Sequence, residues 1–244
     1  MTDRTDRRSF LQLAAAAAAA LVPVKLQAQP APSEKWVDPP GEESAEIAAV
    51  IAAAVKDLGA GGSPSSVLCD ARYASVHAFP RFRAAIKAHA TSAPLTMAGK
   101  TEPGERAVLQ LEIKSKDGTP LRDALLYLYH TSSRGWYSDK AYHVRANSGD
   151  QRHARLFGYV RTDAQGRAEI RTIRPGGYPD GELPCHVHIE LVEPRSLVSE
   201  VVFSDDPRLT PDAKARSLQQ GFFVSTPSRS PDGAWRIPAT FQQR

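Results

Sequence analysis

Near residue 107 the hydrophobic period of this chain changes, and that change limits the folds open to it more than any other feature. In AVLQLEIKSKDGTPLRDALLYLYH, Leu109, Leu111 and Ile113 alternate with Gln110, Glu112 and Lys114, so apolar and polar side chains fall on opposite faces of an extended segment. Asp117-Gly118 supplies a turn, and a second strand is expected through Leu126 to Tyr129. Further strands are expected at Phe157 to Thr162, Ala168 to Ile173, His186 to Val192, Val198 to Phe203 and Trp235 to Phe241, with a turn at residues 163–166. Short strands with turn signals at this spacing predict a mostly β domain over residues 107–244, built as an antiparallel β-sandwich. Thr210 and Pro211 read as the cap and first position of a short helix before the last strand.

Upstream the period is helical. Ile47, Val50, Ile51, Ala54, Val55 and Leu58 recur at helical spacing until GAGGSPSS interrupts them from residue 59. A second helix is expected from Phe79 to His89, with Phe82, Ile86 and Ala90 on one face. Residues 43–106 therefore read as an N-terminal helical extension that packs on the strands. Residues 29–42, QPAPSEKWVDPPGE, are rich in proline and polar groups and read as a linker. In residues 1–28, Arg7-Arg8 precedes Ser9-Phe10-Leu11 and an alanine-rich apolar run to Val24, the layout of an export signal. That run is too short and too rich in alanine for a membrane span. The paired arginines are similar to a twin-arginine signal, which implies export of an already folded protein to the periplasm or beyond.

Of the 31 Lys/Arg and 27 Asp/Glu, residues 1–28 hold four and two, so the remainder is close to charge balance. Nucleic acid and anionic membrane are not expected partners, because both need a concentrated basic face. Cys69 and Cys185 are the two cysteines, with no CxxC, and read as separate buried thiols. GxSxG, GxxxxGK[ST] and GxGxxG are all absent, which removes support for acyl-transfer, phosphate-loop and dinucleotide readings.

The chemistry concentrates in TIRPGGYPDGELPCHVHIEL, residues 172–191. His186 and His188, two apart on a strand, project to one face, while Val187, Ile189 and Leu191 form the opposite, core-facing row. Such a pair offers two imidazole nitrogens to one metal, although HxH alone more often marks an exposed or internally hydrogen-bonded pair. Tyr178 sits in a Gly/Pro turn just before this strand, and Tyr137 ends HTSSRGWY far upstream. Two phenolates with two neutral imidazoles suit ferric iron, since hard anionic oxygens and high metal charge stabilise each other. Tyr127 and Tyr129 read as packing residues.

Residues 107–206 resemble the intradiol ring-cleavage dioxygenases, the non-haem ferric family that includes catechol and protocatechuate dioxygenases. DGTPLRDALLYLYHTSSRGWY, GYVRTDAQGRAEIRTIRPGGYP, PCHVHIEL and SEVVFSDDP carry the resemblance, in the family's order. It implies a ferric iron held by Tyr137 as equatorial tyrosinate, Tyr178 as axial tyrosinate, and His186 and His188. It further implies that Tyr178 leaves the metal and acts as a base when a catecholic substrate binds. Dioxygen would then open the ring between the two hydroxyl-bearing carbons. Two positions depart from the family pattern: Leu183 stands where an arginine is common, and Glu200 where a glutamine is common. Arg134, Arg152, Arg155 and Arg174 are candidates to replace the lost charge, and Tyr142, His130, His143 and His153 are candidates to line a substrate channel. Leu183 and Glu200 favour a rival reading, a non-catalytic sandwich that binds without turnover. A third reading gives His186 and His188 alone to copper or zinc. The sequence leaves self-association into a homo-oligomer open.

Overall fold

A computed structural model describes residues 34–144, 154–179, 181, 183–194 and 197–243. Residues 1–28, read as an export signal, lie outside the described residues, as does the start of the segment read as a linker. In chain order the elements begin with β1 (Glu34–Val37), α1 (Ala45–Gly59), α2 (Pro64–Leu68), a 3₁₀ turn (Ala71–Val76) and α3 (Pro80–Ala88). Strands β2 (Leu95–Thr96), β3 (Arg106–Lys114), β4 (Leu125–His130), β5 (Ala141–Val144), β6 (Leu156–Arg161) and β7 (Arg167–Ile173) follow. The last elements are β8 (His186–Glu193), β9 (Leu197–Phe203), α4 (Pro211–Gln219), β10 (Phe223–Ser225), β11 (Ser228–Arg229) and β12 (Trp235–Gln242).

Two five-stranded sheets form the sandwich, one in the order β10-β9-β8-β4-β6 and the other in the order β11-β12-β3-β7-β2. The mostly β expectation holds, but the sheets are mixed. Pairs β10–β9, β12–β3 and β2–β7 run parallel. Apolar alternation fixes which face of a strand is buried and carries no information about the direction of its neighbour. Pro238 is tolerated within β12 because β11 pairs only as far as Arg236, so no ladder partner waits for an N–H on that edge, where the Pro238 carbonyl accepts from Ser225 Oγ at 2.6 Å.

The register sorts the side chains of the first sheet into two faces. Leu126 and Leu128 on β4 lie opposite Leu191 and Ile189 on β8 and Val160 and Gly158 on β6. This face meets the second sheet: a Cβ on Gly158 would sit 2.5 Å from Leu95 Cδ2, so any larger residue there would have to displace the Leu95 side chain of β2. Ala107, Leu109, Leu111 and Ile113 of β3 enter the same core, as the alternation predicts. The other face carries Tyr127 and Tyr129 opposite Tyr159, Phe157 and His188. It is covered by helices: Arg83 of α3 lies 3.6 Å over the Phe157 ring and donates to the Tyr127 hydroxyl. Every residue of β4 is buried because both of its faces are covered.

Helix α1 starts at Ala45 because Ser44 Oγ accepts from the Ile47 N–H at 3.2 Å. The stretch read as a simple break after residue 59 instead contains α2 and the 3₁₀ turn. Ser63 caps α2 at Ser66 N with Pro64 in the first helical position, and Asp70 caps the turn at Arg72 N. Within the presumed linker, β1 pairs in parallel with β5, Glu34 opposite Ala141 and Val37 opposite Val144. Cys69 and Cys185 are free and half-buried, separate as expected. Among the described residues no helix is long and apolar enough to cross a membrane.

Candidate functional site

The first two turns of β8's alternation carry the site. His186 and His188 project from its start onto the helix-side face, and Val187 and Ile189 point into the sandwich core. Each imidazole is held from behind. His186 Nδ1 donates to the Pro184 carbonyl at 2.8 Å, which leaves Nε2 as a lone pair. The His188 ring stacks on Tyr129 with centroids 4.4 Å apart and planes 10° from parallel, and its Nδ1 lies 3.4 Å from Glu200 Oε1.

Two loops bring the tyrosines. Tyr137 follows β4 through Thr131 to Trp136, and Tyr178 follows β7 through Pro175 to Gly177. The loops are interlocked by backbone bonds. Gly176 N donates to the Ser132 carbonyl at 2.9 Å, and Thr131 Oγ1 donates to the Gly176 carbonyl at 2.7 Å. Glycine is required at their crossing. Gly135 has φ +81°, and a Cβ there would lie 2.0 Å from the Gly177 carbonyl oxygen; one on Gly176 would lie 2.4 Å from the Ser133 oxygen.

The four side chains converge on one point. Tyr137 Oη lies 2.8 Å from Tyr178 Oη and 2.8 Å from His188 Nε2, and Tyr178 Oη lies 3.3 Å from His186 Nε2. The two histidine Nε2 atoms are 3.1 Å apart. Burial, and then the neighbouring Tyr178, push the Tyr137 hydroxyl well above the usual phenol range. Burial, and then His186 and His130, hold His188 well below the usual imidazole range, so that ring is neutral. Two imidazole lone pairs this close repel unless a cation or proton lies between them. A trivalent metal reverses the desolvation that keeps a phenol protonated and takes all four donors at once. The donor set therefore fits ferric iron. His186, His188 and Glu200 also offer ligand atoms within 4.8 Å of one another. The carboxylate, however, faces the Nδ1 edge of His188, away from the edge that meets Tyr137.

A family model described as Dioxygenase matches residues 78–241. The chain belongs to the intradiol dioxygenase family. Its curated relatives include the protocatechuate 3,4-dioxygenase beta chain of Burkholderia cepacia, 32% identical over 145 residues, covering 50% of this chain and 58% of that one. Catechol 1,2-dioxygenase 2 of Acinetobacter lwoffii is 29% identical over 135 residues, covering 46% of this chain and 45% of that one. The chain thus spans about half the length of the curated relatives it matches. Among solved structures, catechol 1,2-dioxygenase from Acinetobacter sp. ADP1 is 18% identical with a TM-score of 0.48, covering 82% of this chain and 78% of that one.

Within this family member, Tyr137, Tyr178, His186 and His188 all reach the site, while Arg155, Arg174, Arg134 and His130 are engaged elsewhere. Arg155 is committed to Glu102 through two bonds of 2.6 and 2.8 Å and to Asp139 at 2.9 Å. Arg174 pairs with Asp205 at 2.7 Å and lies over Trp235, and Arg134 lies 3.8 Å over Trp136. His130 is fully buried, with Nδ1 donating to the Thr131 carbonyl and Nε2 accepting from Thr172 Oγ1, both at 2.7 Å. It is a structural histidine and lines no channel. Arg152 and His153, and the side chains of Tyr142 and His143, lie outside the described residues. Leu183 is 48% exposed. Tyr129, read only as packing, is also the wall behind His188; the signal for that was its parity with Tyr127 on a strand paired to β8.

Proposed function

We propose that this chain is an intradiol dioxygenase that opens the ring of a catecholic substrate between its two hydroxyl-bearing carbons, using dioxygen and ferric iron. One observation carries the reading: two phenolic oxygens and two imidazole nitrogens from three separate segments meet with neighbouring contacts of 2.8 to 3.3 Å. Tyr137, Tyr178, His186 and His188 would hold the iron. Bound there, ferric iron supplies Lewis acidity that makes the phenols and the catechol hydroxyls acidic and readies the ring for dioxygen.

The chain's own residues divide the remaining work. His186 and His188 present lone pairs of fixed tautomer, since their Nδ1 edges face Pro184 and Glu200. Tyr137, 1% exposed, is the fixed oxygen donor. Tyr178 is only partly buried and stands on the Gly/Pro loop, so its hydroxyl is the one an incoming catechol meets. On this reading Tyr178 Oη takes the proton of a catechol hydroxyl and keeps it while the substrate is bound. The sandwich core and the aromatic face of Tyr129 exclude water from behind the histidines.

The test is the visible spectrum of the iron-loaded protein in air, before and after catechol, with oxygen uptake followed in parallel. The expected result is a tyrosinate-to-iron band that shifts on addition and recovers as oxygen is consumed. Tyr137→Phe is expected to lose most of the band's intensity and at least tenfold in iron affinity. A band that shifts and stays, with no oxygen uptake, would replace turnover by binding alone. Unchanged metal content in both Tyr137→Phe and Tyr178→Phe would favour a site made by the histidines only.

A further inference from the structure

Strand register places one more group against the site. In the antiparallel β8–β9 pair, His188 lies directly opposite Glu200, so both side chains stand on the same face with neighbouring Cβ atoms. Glu200 Oε1 is 3.4 Å from His188 Nδ1, and the Glu200 side chain is only 22% exposed. The site's two ends are distinct: Nε2 of the same ring meets Tyr137 Oη at 2.8 Å. A neutral imidazole that presents a lone pair at Nε2 carries its proton at Nδ1, on the ring edge that lies 3.4 Å from the carboxylate. Among the described residues Glu200 has no lysine or arginine partner. Other acids do have such partners: Glu102 pairs with Arg155, and Asp205 with Arg174. A carboxylate this enclosed, with an imidazole for its neighbour, is better explained by that imidazole than by surface solvation.

We infer that Glu200 is a positioning residue for the iron site, acting through His188. Resting on the iron reading above, this assigns to the carboxylate three effects. It fixes the ring's tautomer, it holds the ring's edge while Tyr129 holds its face, and it makes Nε2 a stronger donor to the metal. His186 differs in that its Nδ1 donates to a neutral carbonyl, that of Pro184. The two histidines are therefore unequal ligands, with His188 the more electron-rich.

Glu200→Gln keeps the shape and an acceptor but removes the carboxylate, and Glu200→Asp keeps the carboxylate on a shorter stem. With ferric iron as the probe, Glu200→Gln is expected to bind about 10- to 100-fold more weakly than the unaltered chain. Its tyrosinate band is expected at longer wavelength, because a poorer donor set leaves the metal a better electron acceptor. Glu200→Asp should fall between the two in both readouts. Metal-free thermal unfolding should be alike for all three, which separates the effect from folding. An unaltered protein without a tyrosinate band overturns the iron reading and this assignment with it. A normal band whose position and affinity Glu200→Gln leaves unchanged overturns the assignment alone. So does complete loss of iron in Glu200→Gln, which would make Glu200 a ligand.

Discussion

Two histidines remote from the metal donors or turned away from them tie stability to acidity. The His77 ring stacks on Phe82 at 5.2 Å with Nδ1 3.3 Å from the Arg155 carbonyl, and His130 is enclosed between Thr131 and Thr172. Burial, the largest cause for both, lowers each from the usual 6.5 to about 4. The unfolded chain takes up these protons near pH 6.5, whereas the folded chain refuses them until about pH 4. Their contribution is therefore complete above pH 6.5 and is lost on acidification through that window, at about 1.4 kcal/mol per pH unit for each ring. Denaturant melts across the window should show this slope, and His77→Gln should be less stable at neutral pH yet lose less on acidification. An equally steep loss in the variant would remove His77 from the account.

Between the β4–β5 and β7–β8 connections, glycine works as a hinge-free joint. Gly135→Ala would need both a left-handed backbone at φ +81° and a Cβ 2.0 Å from the Gly177 oxygen. It should cost about 3 kcal/mol or more and separate Tyr137 from Tyr178, so urea melts and iron affinity should fall together. A variant of unaltered stability and affinity would show that the loops do not lock each other. Much of this arrangement was legible beforehand: strand parity aimed His186 and His188, and the glycines and prolines around Tyr178 marked a tight turn just before their strand. The fates of the arginines were not, because their partners are distant in sequence: Arg155 and Glu102 are 53 positions apart, and Arg174 and Asp205 are 31 apart. The short helix at Pro64 was hidden for a different reason. Its Ser63-Pro64 start has the same cap chemistry as Thr210-Pro211, but the glycines before it read as an ending.

Taken together, the described residues form three layers: a sheet, a second sheet, and helices over the face that carries the site. The outer sheet depends on the C-terminal strand, since β12 pairs with β3 from Trp235 opposite Ala107 to Gln242 opposite Lys114. Removing residues 234–244 would expose one whole edge of β3 and uncover the part of the core that Ile237 and Phe241 fill. Such a chain is expected to aggregate, which size-exclusion chromatography would show as loss of the monomer-sized or small-oligomer peak; a soluble, cooperatively melting product would contradict this. Thr240 and Glu112, neighbours across that seam, are 128 positions apart. Because β12 leaves the ribosome after every strand it supports, the sandwich cannot close before residue 242 has emerged, and a chain interrupted earlier carries an open, adhesive edge by which quality control can recognise it.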